Sequence, residues 1–310
     1  MQTGFRWFLV ALTGATVLLW LRAMRWKPSH MTTATLTVLA LGSFPVLQGI
    51  KLQQLSLLVA GLIAACAWAL VRNYFALAGI LLALATIKPQ LVLPVIVWLL
   101  VWAFSDWRLR QNFVWGFTSA LTILFVAAEY CLPGWIWRFR EAIIAYRLYN
   151  DGAGSVLDLM VTPQWARVLA VLTVVALGFM GWKLRRVGVD SPVFAVMLAL
   201  VLAVTVVVAP KAAPYNQVLL LPGILMVAHD WRVIWKKGSA IRAIFAASFL
   251  VVSWPWLAAS ALTIASLFLP ATRVQQGWAV PVWTSLAIPL FVALLLACAF
   301  RGLAEPGIGD

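Results

Sequence analysis

The stretch 84–94, with the sequence LATIKPQLVLP, places a lysine and two prolines in a part of the chain that is otherwise apolar from 74 to 104. An ammonium group in hydrocarbon costs at least about 2.5–3.5 kcal/mol. Proline ends helices, so the sequence predicts a hairpin that turns at Lys88 and Pro89. Lys88, with Gln90 beside it, can extend alone to the bilayer surface or bind an anionic head group. We favour the second interpretation.

Two further turns carry polar side chains of the same types. The stretches IKLQQLS, 50–56, and VAPKAAPYNQ, 208–217, supply lysines, amides and a tyrosine: Lys51, Gln53, Gln54, Lys211, Tyr215 and Asn216. Lysine binds phosphate as a point charge, and amides form hydrogen bonds to hydroxyl groups. With Lys88 and Gln90, these residues are predicted to form a basic, amide-lined pocket for a lipid phosphate that carries a sugar.

Carboxylates are rare in this chain, because Asp and Glu together number only 9. Four of them are predicted at or beyond the outer side of a membrane, namely Glu129, Glu141, Asp151 and Asp158. The others are predicted at the inner side as solvated helix ends. Any acid–base chemistry by carboxylates is therefore expected on the outer side of the membrane.

Metal and cofactor sites are not predicted. The histidines, His30 and His229, lack metal-ligand spacing, and the 3 cysteines form no CxxC pair. The chain contains no glycine-rich phosphate loop, and its short inner connections argue against ATP-driven transport. An ion-coupled transporter would usually carry acids in mid-helix, where Glu129 is the sole approximate candidate.

The composition indicates the broad class of protein. Of the 310 residues, 64% are hydrophobic and 10% are charged, against roughly 25% charged residues in soluble domains. The net charge of +14 arises from short basic clusters between apolar segments, so no nucleic-acid partner is predicted. Membrane lipids are the expected surroundings, with anionic head groups favoured on one side.

We therefore predict an all-α, polytopic integral membrane protein with a single domain over 1–310. The sequence contains about eleven apolar segments: 5–22, 32–50, 55–71, 74–87, 90–104, 112–132, 166–184, 191–209, 216–231, 241–266 and 280–300. The distribution of Lys and Arg between them predicts an outside N-terminus and a cytoplasmic C-terminus. The expected location is the bacterial inner membrane.

The longest connection, 133–165, is predicted to be an outer loop. Aromatic and aliphatic residues alternate with arginines from Trp135 to Tyr149, which predicts an amphipathic helix in the membrane interface. The sequence NDGAG at 150–154 is a turn signal that is predicted to end this helix. A plain connector need not be this long, so we favour a functional loop.

The run from 44 to 94 resembles the membrane glycosyltransferases of family 87. Members typically carry a Gly-Gln-x-x-x-Leu-Leu stretch, a helix ending in Arg, and an Ala-Gly-Leu-Leu-Leu-Ala-like helix that continues into Lys-Pro. Here KLQQLSLL, 51–58, takes the first place, with Leu52 or Gln53 where the family often has Gly. The stretch VRNYFALAGILLALATIKPQ, 71–90, matches the rest, and APYNQVLLLPGILM, 213–226, resembles the family's outer turn.

This resemblance implies a C-type glycosyltransferase membrane core. Such enzymes move a hexose, typically mannose, from a polyprenyl-phosphate carrier to a lipid-linked or cell-envelope acceptor on the outer face. An external carboxylate would act as general base in an inverting displacement. Members carry that acid in a first external loop that this chain lacks, so an N-terminal helix pair is expected to be missing. By location, Asp151 and Glu141 are the candidate substitutes.

A different class of function stays open. The alternative is a non-catalytic protein that binds or transports a polyprenyl lipid, or a subunit with an envelope-assembly partner. The Lys-Pro motif at Lys88 favours the transferase, whereas the missing acidic loop favours the alternative. Both hypotheses name a polyprenyl-phosphate-linked sugar as the expected ligand.

Overall fold

The computed structural model describes residues 2–149, 154–210 and 212–299. Within these ranges the regular structure is entirely helical, so the all-α prediction is confirmed. The α-helices of the first half are α1 Gln2–Ala23, α2 His30–Gly42, α3 Phe44–Lys51, α4 Ser56–Val71, α5 Phe75–Leu84, α6 Pro89–Phe104, α7 Trp107–Cys131 and α8 Trp135–Tyr149. Those of the second half are α9 Pro163–Lys183, α10 Pro192–Val208, α11 Leu221–Lys236, α12 Ser239–Ala265, α13 Ala271–Gly277, α14 Ala279–Ser285 and α15 Ile288–Ala299. The 3-10 helices are Ala85–Ile87, Leu157–Leu159 and Pro214–Leu220.

Several helices have the length and composition of membrane spans. Across the described ranges, 6 helical segments qualify, and the bent pair α2–α3 raises the number to 7. Four other apolar helices have only 10–17 residues, less than the ~20 residues of a straight span. The structure therefore supports an integral membrane protein, whereas the count of eleven spans stays a prediction.

The segment 32–50, expected as one helix, is broken between α2 and α3. Ser43 has an extended backbone with φ −65° and ψ 143°, and the two helices meet at 56°. Pro45 explains the break, because its ring would clash with the carbonyl of Leu41 in a continuous helix. Ser43 Oγ donates instead to the carbonyl oxygen of Ala40 at 2.7 Å.

The short helices α4 and α10 form the centre of the bundle. In α10 every side chain from 197 to 207 is buried, and a helix that is apolar on all sides is typically enclosed by others. In the long helices α7, α9 and α12, only 17% of the residues in the apolar 18-residue stretch are buried. The outer helices therefore present their apolar faces to the surroundings, as membrane helices do.

Gly79 of α5 and Gly116 of α7 lie at the closest approach of these two helices. A Cβ atom at Gly79 would overlap the carbonyl oxygen of Phe113 and the amide nitrogen of Phe117. A Cβ atom at Gly116 would overlap the backbone of Ala76. The two helices thus pack backbone against backbone, which small residues allow in membrane proteins.

The guanidinium group of Arg110 is buried where α6, α7 and the connection between α9 and α10 meet. Its Nη1 donates to the carbonyl oxygens of Trp102 at 2.7 Å and Arg185 at 3.1 Å, and the group stacks on the Trp102 ring at 4.0 Å. Ser105 Oγ donates to the same Arg185 oxygen at 2.6 Å. Arg110, one of the basic residues whose distribution predicted the topology, therefore joins the last turn of α6 to the connection between α9 and α10.

Replacing Arg110 by methionine is expected to destabilise the fold by about 2–4 kcal/mol, because buried carbonyl groups lose charged donors. Thermal unfolding of the purified protein in detergent measures the effect. Arg108→Met is the matched control, since Arg108 is exposed two residues earlier on the same helix. Equal midpoints for the two variants would show that the buried contacts of Arg110 contribute little.

The helix predicted from Trp135 to Tyr149 is present as α8. Gly134, with φ +70°, makes the turn before it, and the Gly134 amide donates to Glu129 Oε1 at 2.8 Å. From 136 to 145 its apolar side chains are exposed, with Trp137 67% and Phe139 48% accessible. Residues 150–153 of the turn predicted to end this helix lie outside the described residues. The placement of α8 in a membrane interface stays a prediction.

Candidate functional site

Lys88 lies at the break between the 3-10 helix Ala85–Ile87 and α6. Its backbone is non-helical, with φ −126° and ψ 79°, and Pro89 begins α6. The residue before a proline is disfavoured in the helical conformation, so the sequence itself sets this break. The predicted interruption at Lys88 and Pro89 is confirmed.

The ammonium group of Lys88 has three neutral neighbours. Its Nζ donates to Gln54 Oε1 at 3.1 Å and to Ser56 Oγ at 2.9 Å. It also lies over the ring of Tyr215, 5.1 Å from the ring centroid, within the range of a cation–π contact. The side chain is half-buried, so its charge is stabilised by the amide of Gln54, the hydroxyl of Ser56 and the face of the Tyr215 ring.

Asn216 completes the cluster through Ser56. Ser56 Oγ accepts from Lys88 and donates its own proton to Asn216 Oδ1 at 2.8 Å. Because the amide oxygen of Asn216 is directed at Ser56, its amino group is directed away from that hydroxyl. We call Lys88, Gln54, Ser56, Tyr215 and Asn216 the Lys88 cluster.

The turn between α3 and α4 positions two members of the cluster. Gln53 adopts a left-handed conformation with φ 52°. The Gln53 amide donates to the Ile50 carbonyl at 3.2 Å, and the Gln54 amide donates to the Gly49 carbonyl at 2.8 Å. This pair of bonds is a Schellman motif, which ends α3 and reverses the chain. Gln54 and Ser56 are thereby brought beside Lys88.

The other side of the cluster comes from the 3-10 helix Pro214–Leu220. Asn216 is buried there, and Tyr215 is half-buried. The Ala212 amide donates to the Gly154 carbonyl at 3.0 Å, so the end of the connection between α8 and α9 contacts the turn that carries Tyr215. In that loop end, Asp158 Oδ2 accepts from the amide and the hydroxyl of Ser155 at 2.6 and 2.8 Å.

The structure brings some of the sequence-predicted site residues together and leaves others apart. Lys88, Gln54, Tyr215 and Asn216 are in one cluster. Gln90 and Lys51 are exposed, and Gln53 is half-buried in the turn that precedes Gln54. Lys211 and Asp151 lie outside the described residues. Glu141 is exposed on α8.

Ser56 was not predicted as a site residue, although it connects the two halves of the cluster. Its side chain is completely buried, and it contacts both Lys88 and Asn216. A serine in the first turn of an otherwise apolar helix, two residues after a pair of glutamines, is the signal in the sequence that could have identified it. Its role depends on contacts that span 32 and 160 residues along the chain.

The electrostatics of the cluster favour an anionic ligand. In the part of the chain that the structure describes, the ion pairs are Arg25–Asp190 and His229–Asp230, and neither includes Lys88. A half-buried cation with only neutral partners attracts negative charge. The same ranges contain no group of three or more His, Cys, Asp or Glu side chains that could bind a metal.

Comparisons with known proteins identify no relative. No protein-family model matches the chain, and no curated protein or solved structure matches it either. The resemblance to glycosyltransferase family 87 therefore stays a prediction that rests on the motifs at 51–58, 71–90 and 213–226.

Proposed function

We propose that this protein is a membrane glycosyltransferase that moves a hexose from a polyprenyl-phosphate carrier to a lipid-linked or cell-envelope acceptor. The hexose that we propose is mannose. The observation that supports this most is the Lys88 cluster. It combines a half-buried ammonium group with amide and hydroxyl groups in a chain of membrane-type helices. These are the groups that bind a sugar phosphate.

The proposed binding mode follows from the donors of the cluster. A phosphate oxygen accepts a hydrogen bond from Lys88 Nζ and replaces one of the neutral partners of the ammonium group with a negatively charged one. The amino group of Asn216 and the amide of Gln54 are placed to bind sugar hydroxyls or further phosphate oxygens. Charge-assisted hydrogen bonds of this kind are about twice as strong as neutral ones.

The finer topology belongs to this proposal. About eleven membrane segments cross or enter the bacterial inner membrane, with the N-terminus outside and the C-terminus cytoplasmic. The Lys88 cluster then lies toward the outer side, together with α8 and the end of the outer loop. The contact between Ala212 and Gly154 supports a common location for these parts.

The proposed chemistry is a single displacement. The acceptor hydroxyl oxygen attacks the anomeric carbon, the bond from that carbon to the phosphate oxygen breaks, and polyprenyl phosphate leaves. A carboxylate takes the proton of the attacking hydroxyl. Glu141 and Asp151 are the proposed bases.

The double variant Glu141→Gln, Asp151→Asn is expected to lower transfer by about 10²–10⁴-fold, the usual contribution of a general base. Carrier binding is expected to be unchanged. The assay is transfer of radiolabelled mannose from polyprenyl-phosphate mannose in vesicles that contain the full chain. Asp106→Asn, at the start of α7, is the control. Full transfer by the double variant would exclude both residues as the base.

A second candidate function is non-catalytic: the protein binds or transports a polyprenyl lipid, or is a subunit with an envelope-assembly partner. One observation favours it: among the described residues, no carboxylate contacts the Lys88 ammonium group, and Glu141 is exposed on α8. Carrier binding without transfer, in vesicles supplied with both carrier and acceptor lipids, would decide for this function.

A further inference from the structure

A large apolar cavity lies between α2, α11, α12 and α15. Its volume is about 640 Å³, which is within the usual ~300–1,000 Å³ range of small-molecule sites. Residues at the break between α2 and α3 and in the 3-10 helix Pro214–Leu220 also line it, as does Trp231 of α11.

Few polar side chains line the cavity, among them Gln217 and Ser253, and Gln217 Oε1 is a buried oxygen with no hydrogen-bond partner among the described residues. The residues that line it include no Lys, Arg, His, Asp or Glu. Three lining hydroxyls, those of Thr13, Ser43 and Ser248, donate to backbone carbonyl groups three or four residues earlier, at 2.7–2.8 Å. Water needs two to four polar partners in a buried site, so water does not fill this cavity well.

The cavity opens along α2 and α12. Leu39, Phe249 and Trp256 line it and remain 49%, 67% and 39% exposed. The ring of Trp256 lies against Gly42, where a Cβ atom would overlap it. Both α12 and the bent pair α2–α3 have the composition of membrane spans, so the opening faces lipid rather than water.

The length of the cavity matches one leaflet of a bilayer. Lining residues on α11 extend from Leu221 to Trp231, which corresponds to roughly 15 Å at a rise of ~1.5 Å per residue. The hydrocarbon core of a bilayer is ~30 Å thick, so one leaflet supplies about half of that length. A single extended hydrocarbon chain has these dimensions.

We infer that this cavity binds one acyl chain of a bilayer phospholipid, which enters from the side between α2 and α12. Because the lining carries no charge, the head group stays in the bilayer interface, where ordinary phospholipids already place it. A lipid that is held by its phosphate needs a cation, and the wall has none. The occupant is therefore an acyl chain rather than the chain of a phosphate-bound carrier.

The cavity and the Lys88 cluster lie on different sides of the same 3-10 helix. Asn216 is bonded to Ser56 in the cluster, whereas the next residue, Gln217, lines the cavity and donates from Nε2 to the Ser285 carbonyl at 2.8 Å. The inference therefore does not rest on the proposed function. Either one can fail while the other holds.

The test uses the full chain in phosphatidylglycerol vesicles that contain a phosphatidylglycerol with a photoreactive diazirine in one acyl chain. Cross-linked peptides are mapped by mass spectrometry. Cross-links are expected on cavity residues of α11 and α12, including Ile224. Val252→Trp, which fills the cavity, is expected to lower the yield of these cross-links by at least about tenfold, which corresponds to a tenfold loss of affinity for the acyl chain.

Leu250→Trp is the matched control, because Leu250 is 58% exposed on the same helix and does not line the cavity. It should leave the cross-links unchanged, as should Lys88→Met. The inference is overturned if wild-type cross-links are no denser in the cavity than on the exposed face of α9, or if Val252→Trp retains them. The inference would also be overturned if a photoreactive polyprenyl phosphate labelled the cavity and the phosphatidylglycerol probe did not. If Val252→Trp does not fold, the inference is tested by the wild-type cross-link map and by the cross-link yield of Ile224→Phe.

Discussion

Replacing Lys88 by methionine is expected to weaken the binding of polyprenyl phosphate by about 10- to 100-fold, since a hydrogen bond to a charged group contributes about 1.5–3 kcal/mol. Methionine has similar length and no charge, so it removes the ammonium group with little change in volume. Gln54 and Ser56 lose a donor in the variant, but they keep their positions through the turn after α3 and the bond to Asn216. Insertion and folding are therefore expected to persist.

The measurement for Lys88→Met is equilibrium binding of a labelled polyprenyl phosphate to the purified protein in nanodiscs. Lys51→Met is the matched control, because Lys51 is an exposed lysine at the end of α3, close in sequence to the same turn. Wild-type affinity in the Lys88 variant would mean that the ammonium group only stabilises the turns around it. A loss of the same size in both variants would indicate general attraction by positive charge.

Replacing Gly79 by alanine is expected to destabilise the protein by about 3 kcal/mol or more, at the upper end of the range for overpacking. The added methyl group would overlap the backbone of α7 at Phe113 and Phe117, and backbone atoms cannot move aside as flexible side chains do. Separation of α5 from α7 would also displace the 3-10 helix Ala85–Ile87 that precedes Lys88. We therefore expect loss of carrier binding together with loss of stability.

Gly178→Ala provides the control for this prediction. Gly178 lies in the middle of α9, and a Cβ atom there meets no other atom within 4 Å. Alanine is the better helix former by up to ~1 kcal/mol, so this variant should be neutral or slightly stabilising. Thermal unfolding in detergent compares the two. Equal midpoints would show that α5 and α7 can separate at little cost.

The candidate site was predictable in part from local signals. Lys88 and Pro89 interrupt an apolar segment, and the break at that point is confirmed. Gln54 and Asn216 were expected in polar turns on the same side, and they do meet Lys88 through one hydrogen-bond network. Ser56 was missed, because a serine at a helix start has no charge or spacing that marks it in isolation.

Other features could not be obtained from hydropathy. Arg110 was expected as a topology charge near a helix end, yet it is buried and bonded to the backbone of a distant connection. The segment 32–50 was expected as one helix, yet Pro45 breaks it and creates a wall of the apolar cavity. The burial of Arg110 depends on what packs against it, whereas the break at Pro45 follows from a local clash of the proline ring. A hydropathy average contains neither term.

The sequence by itself determined that the protein is all-helical, that its helices have membrane composition, and where most of them begin and end. Hydrophobic length and proline act within a few neighbouring residues, so the chain carries that information locally. Only the tertiary structure decided which polar residues share a site and where a cavity remains. Every packing arrangement of the same helices has the same hydropathy, so hydropathy does not determine which helices contact each other. Close packing of backbone against backbone, as at Gly79 and Gly116, contributes to that choice. Lys88 therefore meets a serine 32 residues away, and that serine meets an asparagine 160 residues further along the chain.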